Sequence, residues 1–392
     1  MLKNGIFAIL TAMEEKITPL RFAIVNTIKD IPESDWERLF PEGPIEGYSY
    51  HKTLEESGLK EFSFSYLLAR RDEQLVAIIP FFTTDFSFTT IIQGPLQKTI
   101  IRIQKVFSRF LKLKILFVGF PTCEELYIGI SKEENLNEIL DAALDNLYAF
   151  CRQEKIGTLL FYNLTEEQKP ISKYLAAKGF ARMENFSNSV IKMDVSTLDD
   201  YIAGLSRNAR KNIRKKLRDS TLRAQLSTEI VDDIDGISDK IHQLYMNNFN
   251  DSKVHFETLT TDFFRNICRN MKGRAKFFIT RDKDKIVAFN LIFIKGDKAI
   301  DKFIGFDEKL LFDYNLYYTT IIHNIDYCMK NGIRFYQMGI TDYEPKLRLG
   351  AYLVPLYIAA RFLNPALNLF SRPLVRMIEP KRFDPTLRKL KD

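Results

Sequence analysis

The chain has little of what metal, disulfide or redox chemistry needs. Among 392 residues there are 4 cysteines and 4 histidines. Cys123, Cys151, Cys268 and Cys328 include no CxxC pair, which excludes the thiol spacing of zinc ribbons and dithiol redox sites. His51, His242, His255 and His323 form no HExxH or comparable ligand set, so no metal centre is expected. No local Ser–His or Cys–His signature marks a covalent nucleophile. No run of about 18 uncharged apolar residues occurs, so no membrane-spanning helix is expected. Gly5–Met13 is apolar, but Glu14 and Glu15 follow at once without a small-residue cleavage site, which argues against a secretory signal. The cytoplasm is the expected compartment, with peripheral contact at the inner face of an anionic membrane as a further expectation.

What is present is core and positive charge. Hydrophobic residues make up 46% of the chain, including 32 Phe and 17 Tyr, enough for two packed domains. Lysine and arginine exceed acidic residues by 57 to 50, a net charge of +7. That excess is concentrated in Leu205–Arg218, LSRNARKNIRKKLR, which has no acidic residue. Leu205, Ala209, Ile213 and Leu217 recur every four residues and predict one apolar stripe of a helix. Arg207, Arg210, Arg214 and Arg218 line the opposite side, widened by Lys211, Lys215 and Lys216. Like charges at i,i+4 repel by a few tenths of a kcal/mol, so an all-cationic face predicts a polyanionic partner.

The chain also repeats itself. Phe64–Ala69, a turn at Arg71-Asp72-Glu73 and Leu75–Phe82 predict a β-hairpin. Ala275–Ile294 has the same form, and placing Val76-Ala77 on Val287-Ala288 aligns both turns. A helix over Asn137–Glu154, Gly157 and a strand over Thr158–Leu164 then match Tyr317–Lys330, Gly332 and Arg334–Gly339. Two ordered series of hairpin, helix, glycine and strand predict a duplicated α+β unit. The first copy has an insertion, in which residues 99–113 read as a basic amphipathic helix with Arg102, Lys105, Arg109 and Lys112 on one face. The expected domains are 1–195, 196–365 opened by the 205–218 helix, and a basic tail over 366–392. Thr197 is the expected N-cap of a helix leading into the basic one. Near the end, Pro345 suits a first helical turn, which sets Lys346 at a helix N-terminus.

Three segments together resemble the Fem-like members of the GNAT acyltransferase superfamily: LSRNARKNIRKKLR, KIVAFNLIFI with IGFD at 304–307, and NGIRFYQMGITDYEPKLRLGA at 331–351. The resemblance runs over about Phe62–Leu356 and implies an α+β fold of two tandem GNAT-type domains, each a mixed, mostly antiparallel sheet flanked by helices. The acetyl-CoA loop of ordinary GNAT enzymes has no match. Gln337 stands where relatives often carry an acidic residue, and Tyr314-Asn315-Leu316-Tyr317 replaces their Ser-Pro-Gly helix start.

The implied reaction is acyl transfer to an amine, which needs a neutral amine, an oxyanion stabiliser and a proton route. Lys346 is the expected cation over the oxyanion or a leaving phosphate. Tyr343 and Tyr317 are the expected proton carriers, and Asp307 would orient the amine. Arg207, Arg210 and Arg214, with Lys211, would hold phosphates. No tightly bound cofactor is expected; acyl-CoA, or alternatively aminoacyl-tRNA, would serve as co-substrate. The acceptor would be an amino sugar, a cell-envelope precursor or a related small amine, and no DNA partner is expected. A non-catalytic basic adaptor on RNA or membrane is the third reading, and steeply salt-dependent affinity would mark it.

Overall fold

The computed structural model describes residues 19–41, 43–87, 102, 112–251, 257–340, 342–377, 379–382 and 384–389. Strands of two to fourteen residues build two sheets. The first takes β1 (Arg21–Val25), β2 (Ser63–Arg71), β3 (Gln74–Ser87), β4 (Lys112–Val118), β5 (Gly129–Ile130), β6 (Thr158–Leu164) and β7 (Ala181–Glu184). The second takes β8 (Asn188–Lys192), β9 (Leu226–Val231), β10 (Ala275–Asp282), β11 (Lys285–Lys295), β12 (Lys298–Phe306), β13 (Phe335–Gln337) and β14 (Tyr352–Val354). The last strand, β15 (Tyr357–Phe362), returns to the first sheet.

Strand order is β1-β2-β3-β4-β6-β15-β7 in one sheet and β9-β10-β11-β12-β13-β8-β14 in the other. Both are antiparallel except for one parallel pair each, β4 with β6 and β12 with β13. The two orders match position for position, and the matching positions include a reciprocal exchange. β15 inserts between β6 and β7, while β8 inserts between β13 and β14. No single cut in the chain therefore divides the sheets; the 195/196 boundary falls just after β8, and β15 lies within 196–365.

The hairpin repeat holds down to its irregularities. Register shifts after Ala69/Arg70 in the first hairpin and after Thr280/Arg281 in the second. The extra residues are Val76 and Val287, the two that the sequence alignment superposes. A β-bulge adds one residue to one strand and sharpens its twist, so it marks the same bend in both sheets. In the first turn Asp72 and Glu73 both take positive φ, 47° and 64°, the hand that suits a two-residue hairpin.

Helices cover the faces: α1 (Glu33–Leu39), α2 (Tyr48–Glu56), α3 (Leu136–Gln153), α4 (Lys169–Ala177), α5 (Leu198–Gly204), α6 (Arg207–Arg223), α7 (Ser238–Asp251), α8 (Thr261–Asn270), α9 (Glu308–Leu311), α10 (Leu316–Lys330), α11 (Tyr343–Arg348), α12 (Pro365–Leu369) and α13 (Ser371–Met377). One apolar core joins the halves, with Tyr50, Phe62 and Phe82 packed in the same cluster as Phe263, Phe277, Phe289 and Phe293. Tyr50 meets Phe293 edge-on at 5.3 Å between ring centres. At its rim Asn266 and Asn270 of α8 bond to the backbone and carboxylate of Glu56, at 3.1 and 3.0 Å. Gly305 lets α7 lie directly on β12, since a Cβ there would come within 2.6 Å of the Leu244 backbone.

Most of the basic helix expected over 99–113 lies outside the described residues. Arg102 is helical, whereas Lys112 and Leu113 open β4. Residues 365–377 form α12 and α13, and Val375 is buried against the first sheet. No helix among the described residues is long and apolar enough to cross a membrane.

Candidate active site

The site grows from the parallel pair of the second sheet. β12 and β13 pair only from Lys298 to Ile300 on one side and Phe335 to Gln337 on the other. β12 continues to Phe306, but β13 stops and the chain turns away at Gly339, whose φ is 73°. From Asp301 onward β12 therefore lacks a neighbour on that side, and the strands splay. A second bulge sits at this point: Leu291 pairs Phe303 and Ile292 pairs Asp301, leaving Lys302 unpaired. It sends Asp301 toward α10 and Lys302 toward the first unit.

Asp301 is the centre of the α10 side. Its Oδ2 accepts from Tyr336 at 2.6 Å and from Asn290 at 2.8 Å, while its buried Oδ1 has no partner. Asn324 of α10 donates to the Tyr336 oxygen at 3.0 Å. Burial lifts the Asp301 carboxyl to about 7, against the two hydrogen bonds and Lys346. Lys346 is 6% exposed, and its Nζ donates to the Gly339 carbonyl at 3.2 Å. Burial pushes its ammonium down to about 8, opposed by Asp342, Glu124 and Asp301. The Tyr317 hydroxyl is buried, has no hydrogen-bond partner and lies within the field of Asp301 and Asp342. Buried polar atoms are normally satisfied, so Asp301 Oδ1 and Tyr317 Oη stand out as unpaired groups within one electrostatic neighbourhood.

The opposite side is a cross-unit charge cluster. Lys302 Nζ is bonded to Glu46, to the Thr122 carbonyl and, at 2.9 Å, to Glu124. Burial works against its charge, yet Glu124 and Glu46 hold it above the ordinary lysine range. Glu124 also meets Gln337 at 3.3 Å. It comes from the loop after β4, which in the first sheet occupies the place where β12 and β13 splay in the second. There Leu126 donates to the Asn163 carbonyl at 2.9 Å, and Asn163 donates to the Cys123 carbonyl at 3.0 Å. The first unit's gap is thus filled by its own chain, and that filling reaches across to the second unit's open gap.

The expected site residues separate into two groups. Lys346 and Tyr317 meet around Asp301. Tyr343 donates to the Ser187 carbonyl at 3.0 Å and anchors α11 to the chain before β8. Asp307 caps α9 through the Lys309 amide at 3.2 Å and pairs with Lys285 at 2.7 Å. On α6, Arg210 donates to the Ala203 and Leu205 carbonyls at 2.6 and 3.3 Å, closing the end of α5. Arg207, Lys211 and Arg214 are exposed and carry no partner among the described residues. Ser206 caps α6 by accepting from the Ala209 amide at 3.3 Å, and Thr197 caps α5. Gly350, with φ of 85°, packs against Leu205, where a Cβ would approach to 2.8 Å. That contact, with the Tyr201 hydroxyl bonded to the Leu349 carbonyl, fixes α11 beside the start of α6. A groove of about 480 Å³ lies between these two helices, lined by Ser206, Asn208, Asn212 and Arg348.

Asp301, Asn290, Tyr336 and Lys302 were not among the expected residues. A signal exists: Asp301-Lys302 is a charged pair inside the apolar strand KAIDKFIGF, and Asn290 interrupts KIVAFNLIFIK.

Comparison with known proteins agrees with this architecture. A FemAB-like family, described under peptidoglycan biosynthesis and recognition, matches residues 27–370. FemX has a similar fold, with a TM-score of 0.54 at 12% identity, covering 91% of this chain and 99% of that one. A tandem GNAT protein from the clavulanic acid biosynthesis pathway gives 0.55 at 12% identity, over 88% of this chain and 99% of that one. Among curated proteins, a putative 8-amino-7-oxononanoate synthase 2 of Mycobacterium tuberculosis is 21% identical over 349 residues, 87% of this chain. The chain spans 45% of that relative's length. With the family match running through both sheets, the chain belongs to the FemAB-like family and has the fold of two tandem GNAT-type units.

Proposed function

We propose that the protein transfers an acyl group to the amine of a small cell-envelope precursor, with the chemistry in the splay between β12 and β13. The observation that supports this reading is the splay of β12 from β13 beyond Ile300, beside which lie the unpartnered buried Asp301 Oδ1 and the buried Lys346 ammonium. The acceptor arrives as an ammonium, and Asp301 Oδ1 takes its proton. The free amine attacks the acyl carbonyl, and the Lys346 ammonium stabilises the oxyanion that forms. Collapse breaks the bond to the leaving group, which takes a proton from the Tyr317 hydroxyl, and the surplus proton on the attacking nitrogen passes to the Tyr317 oxygen, leaving a neutral amide and a restored phenol. Tyr343 and Asp307 act at one remove, by holding α11 and the end of β12.

The donor is an acyl-CoA-type thioester whose phosphates lie along Arg207, Lys211 and Arg214. A second reading replaces it with aminoacyl-tRNA; the unpartnered cations of α6 favour it, since a polynucleotide would engage more of them than one pyrophosphate. Purified protein would be given labelled acetyl-CoA, then charged tRNA, each with a pool of envelope amines. Label reaching an amine from the thioester supports the first donor, and label only from tRNA supports the second. No transfer from either, in the presence of acceptor amines, overturns the enzyme reading.

A further inference from the structure

The exposed side of α6 ends in a feature that acyl transfer does not use. Lys215, Arg218 and Leu222 follow at steps of three and four, so they form one stripe. The stripe lies opposite Ala209, Ile213 and Ser220, which are buried. Leu222 is 78% exposed. Beside it, Arg223 donates to the Asp313 carbonyl at 3.2 Å, and two turns earlier Lys216 donates to Asn315 at 3.0 Å. These bonds fix the 312–315 turn against the end of α6 and leave Phe312 83% exposed. Two large apolar side chains thus stand in water on adjoining, stapled segments. Paired exposed apolar groups on a charged surface mark a docking place.

The surrounding charge says what docks there. Lys211, Arg214 and Lys215 have no acidic partner among the described residues, and Arg218 has only its neighbour Asp219 at 3.8 Å. Lys309 is exposed nearby. Of the local acids, Asp313 is paired with Arg223 at 3.7 Å, Asp282 accepts from the Tyr314 hydroxyl and the Gln225 amide, each at 3.2 Å, and Glu308 is exposed. Cations therefore outnumber free carboxylates around the apolar pair.

We propose that this end of α6, with the Phe312 turn, docks on an anionic phospholipid surface. Leu222 and Phe312 enter the boundary between headgroups and acyl chains, while Lys215 and Arg218 lie against the phosphates. RNA would use the cations but leave both apolar side chains in water. Tyr317 lies two residues beyond Asn315, so docking brings the splayed cleft near the bilayer, where an amine on a lipid or lipid-linked molecule is presented. The docking itself does not depend on acyl transfer.

The test is co-sedimentation of the full chain with vesicles of phosphatidylcholine alone, or with about one-third phosphatidylglycerol. Binding is expected only with phosphatidylglycerol and should weaken as salt rises. Leu222→Ser with Phe312→Ser should lower the partition coefficient at least about tenfold, from the lost apolar burial, without moving Tm. Leu369→Ser with Phe370→Ser, on a separate exposed apolar patch, should leave binding unchanged. Several results would overturn the proposal: no binding, equal binding to both vesicles, or loss confined to the Leu369/Phe370 variant. RNA binding that survives the Leu222/Phe312 change, with no vesicle binding, would also do so. So would a wild-type dimer that this variant splits, because the occupant would then be a second copy.

Discussion

Lys346 sits where a cation is costly. Its folded-state proton affinity, about 8 against an ordinary 10.5, corresponds to roughly 3 kcal/mol of strain on the charged form. The sign follows: the unfolded chain holds this proton more tightly, so stability should rise as pH climbs from about 8 toward 10.5. Lys346→Met should abolish transfer, raise stability at pH 7 and flatten that rise, as read by urea denaturation at neutral and alkaline pH. Asp301 runs the other way. Its carboxyl is raised from 3.8 to about 7, so its contribution is fully present below the lower value and lost as pH rises through the upper. In catalysis, kcat/KM should rise as Asp301 ionises near 7 and fall as Lys346 discharges near 8. Asp301→Asn should remove the acid limb and leave the alkaline one. The turn that carries Lys346 was legible from Gly339 and Pro345, and Tyr317 from its place at the start of a helix where the resembling proteins carry Ser-Pro-Gly. Asp301 was not, because a strand pattern shows that a charge interrupts it but not that two neighbouring strands part there.

At the scale of the element, α6 came closest to its expected form. Its apolar stripe is buried as the spacing predicts, and it starts at Arg207 because Ser206 caps it. It extends to Arg223, past the basic run, because Ser220 is buried and Arg223 reaches the Asp313 turn. Sequence spacing could not divide its arginines, since all lie on the side away from the core. The structure divides them: Arg210 closes α5, and Arg207 and Arg214 are free among the described residues. Arg210→Ala should therefore cost about 1 kcal/mol of stability through lost carbonyl bonds, measured by denaturation, with little direct effect on donor binding. Changing Arg207, Lys211 and Arg214 together to Gln should leave the midpoint within about 0.5 kcal/mol and raise the donor KM severalfold.

Across the whole molecule, Lys302 ties the halves through Glu46 and Glu124. Removing one member of a buried ion cluster leaves uncompensated charge, so Lys302→Ala should destabilise by about 3–5 kcal/mol. Adding Glu46→Gln should recover part of that loss in a double-mutant cycle, whereas two independent defects would simply add. The duplication was legible because hairpins are local, while the bulge at the aligned Val76 and Val287 shows only in the strand register. The exchange of β8 and β15 was not. The strand over Tyr357–Phe362 is hidden among prolines and basic residues, and period-two alternation says which face is buried but nothing about which distant strand lies beside it.

That exchange bears on how the protein is made. A ribosome adding about 5–20 residues per second finishes β6 roughly 200 residues before β15, a wait of about 10–40 seconds. During that interval the nascent first sheet exposes the edges of β6, an apolar strand, and of the mixed strand β7, both open to pairing with another chain. The amino-terminal half cannot mature ahead of the rest, as ordinary tandem domains do. Its solubility in the cell therefore rests on a chaperone shielding that edge, or on both halves closing together once the final strand emerges.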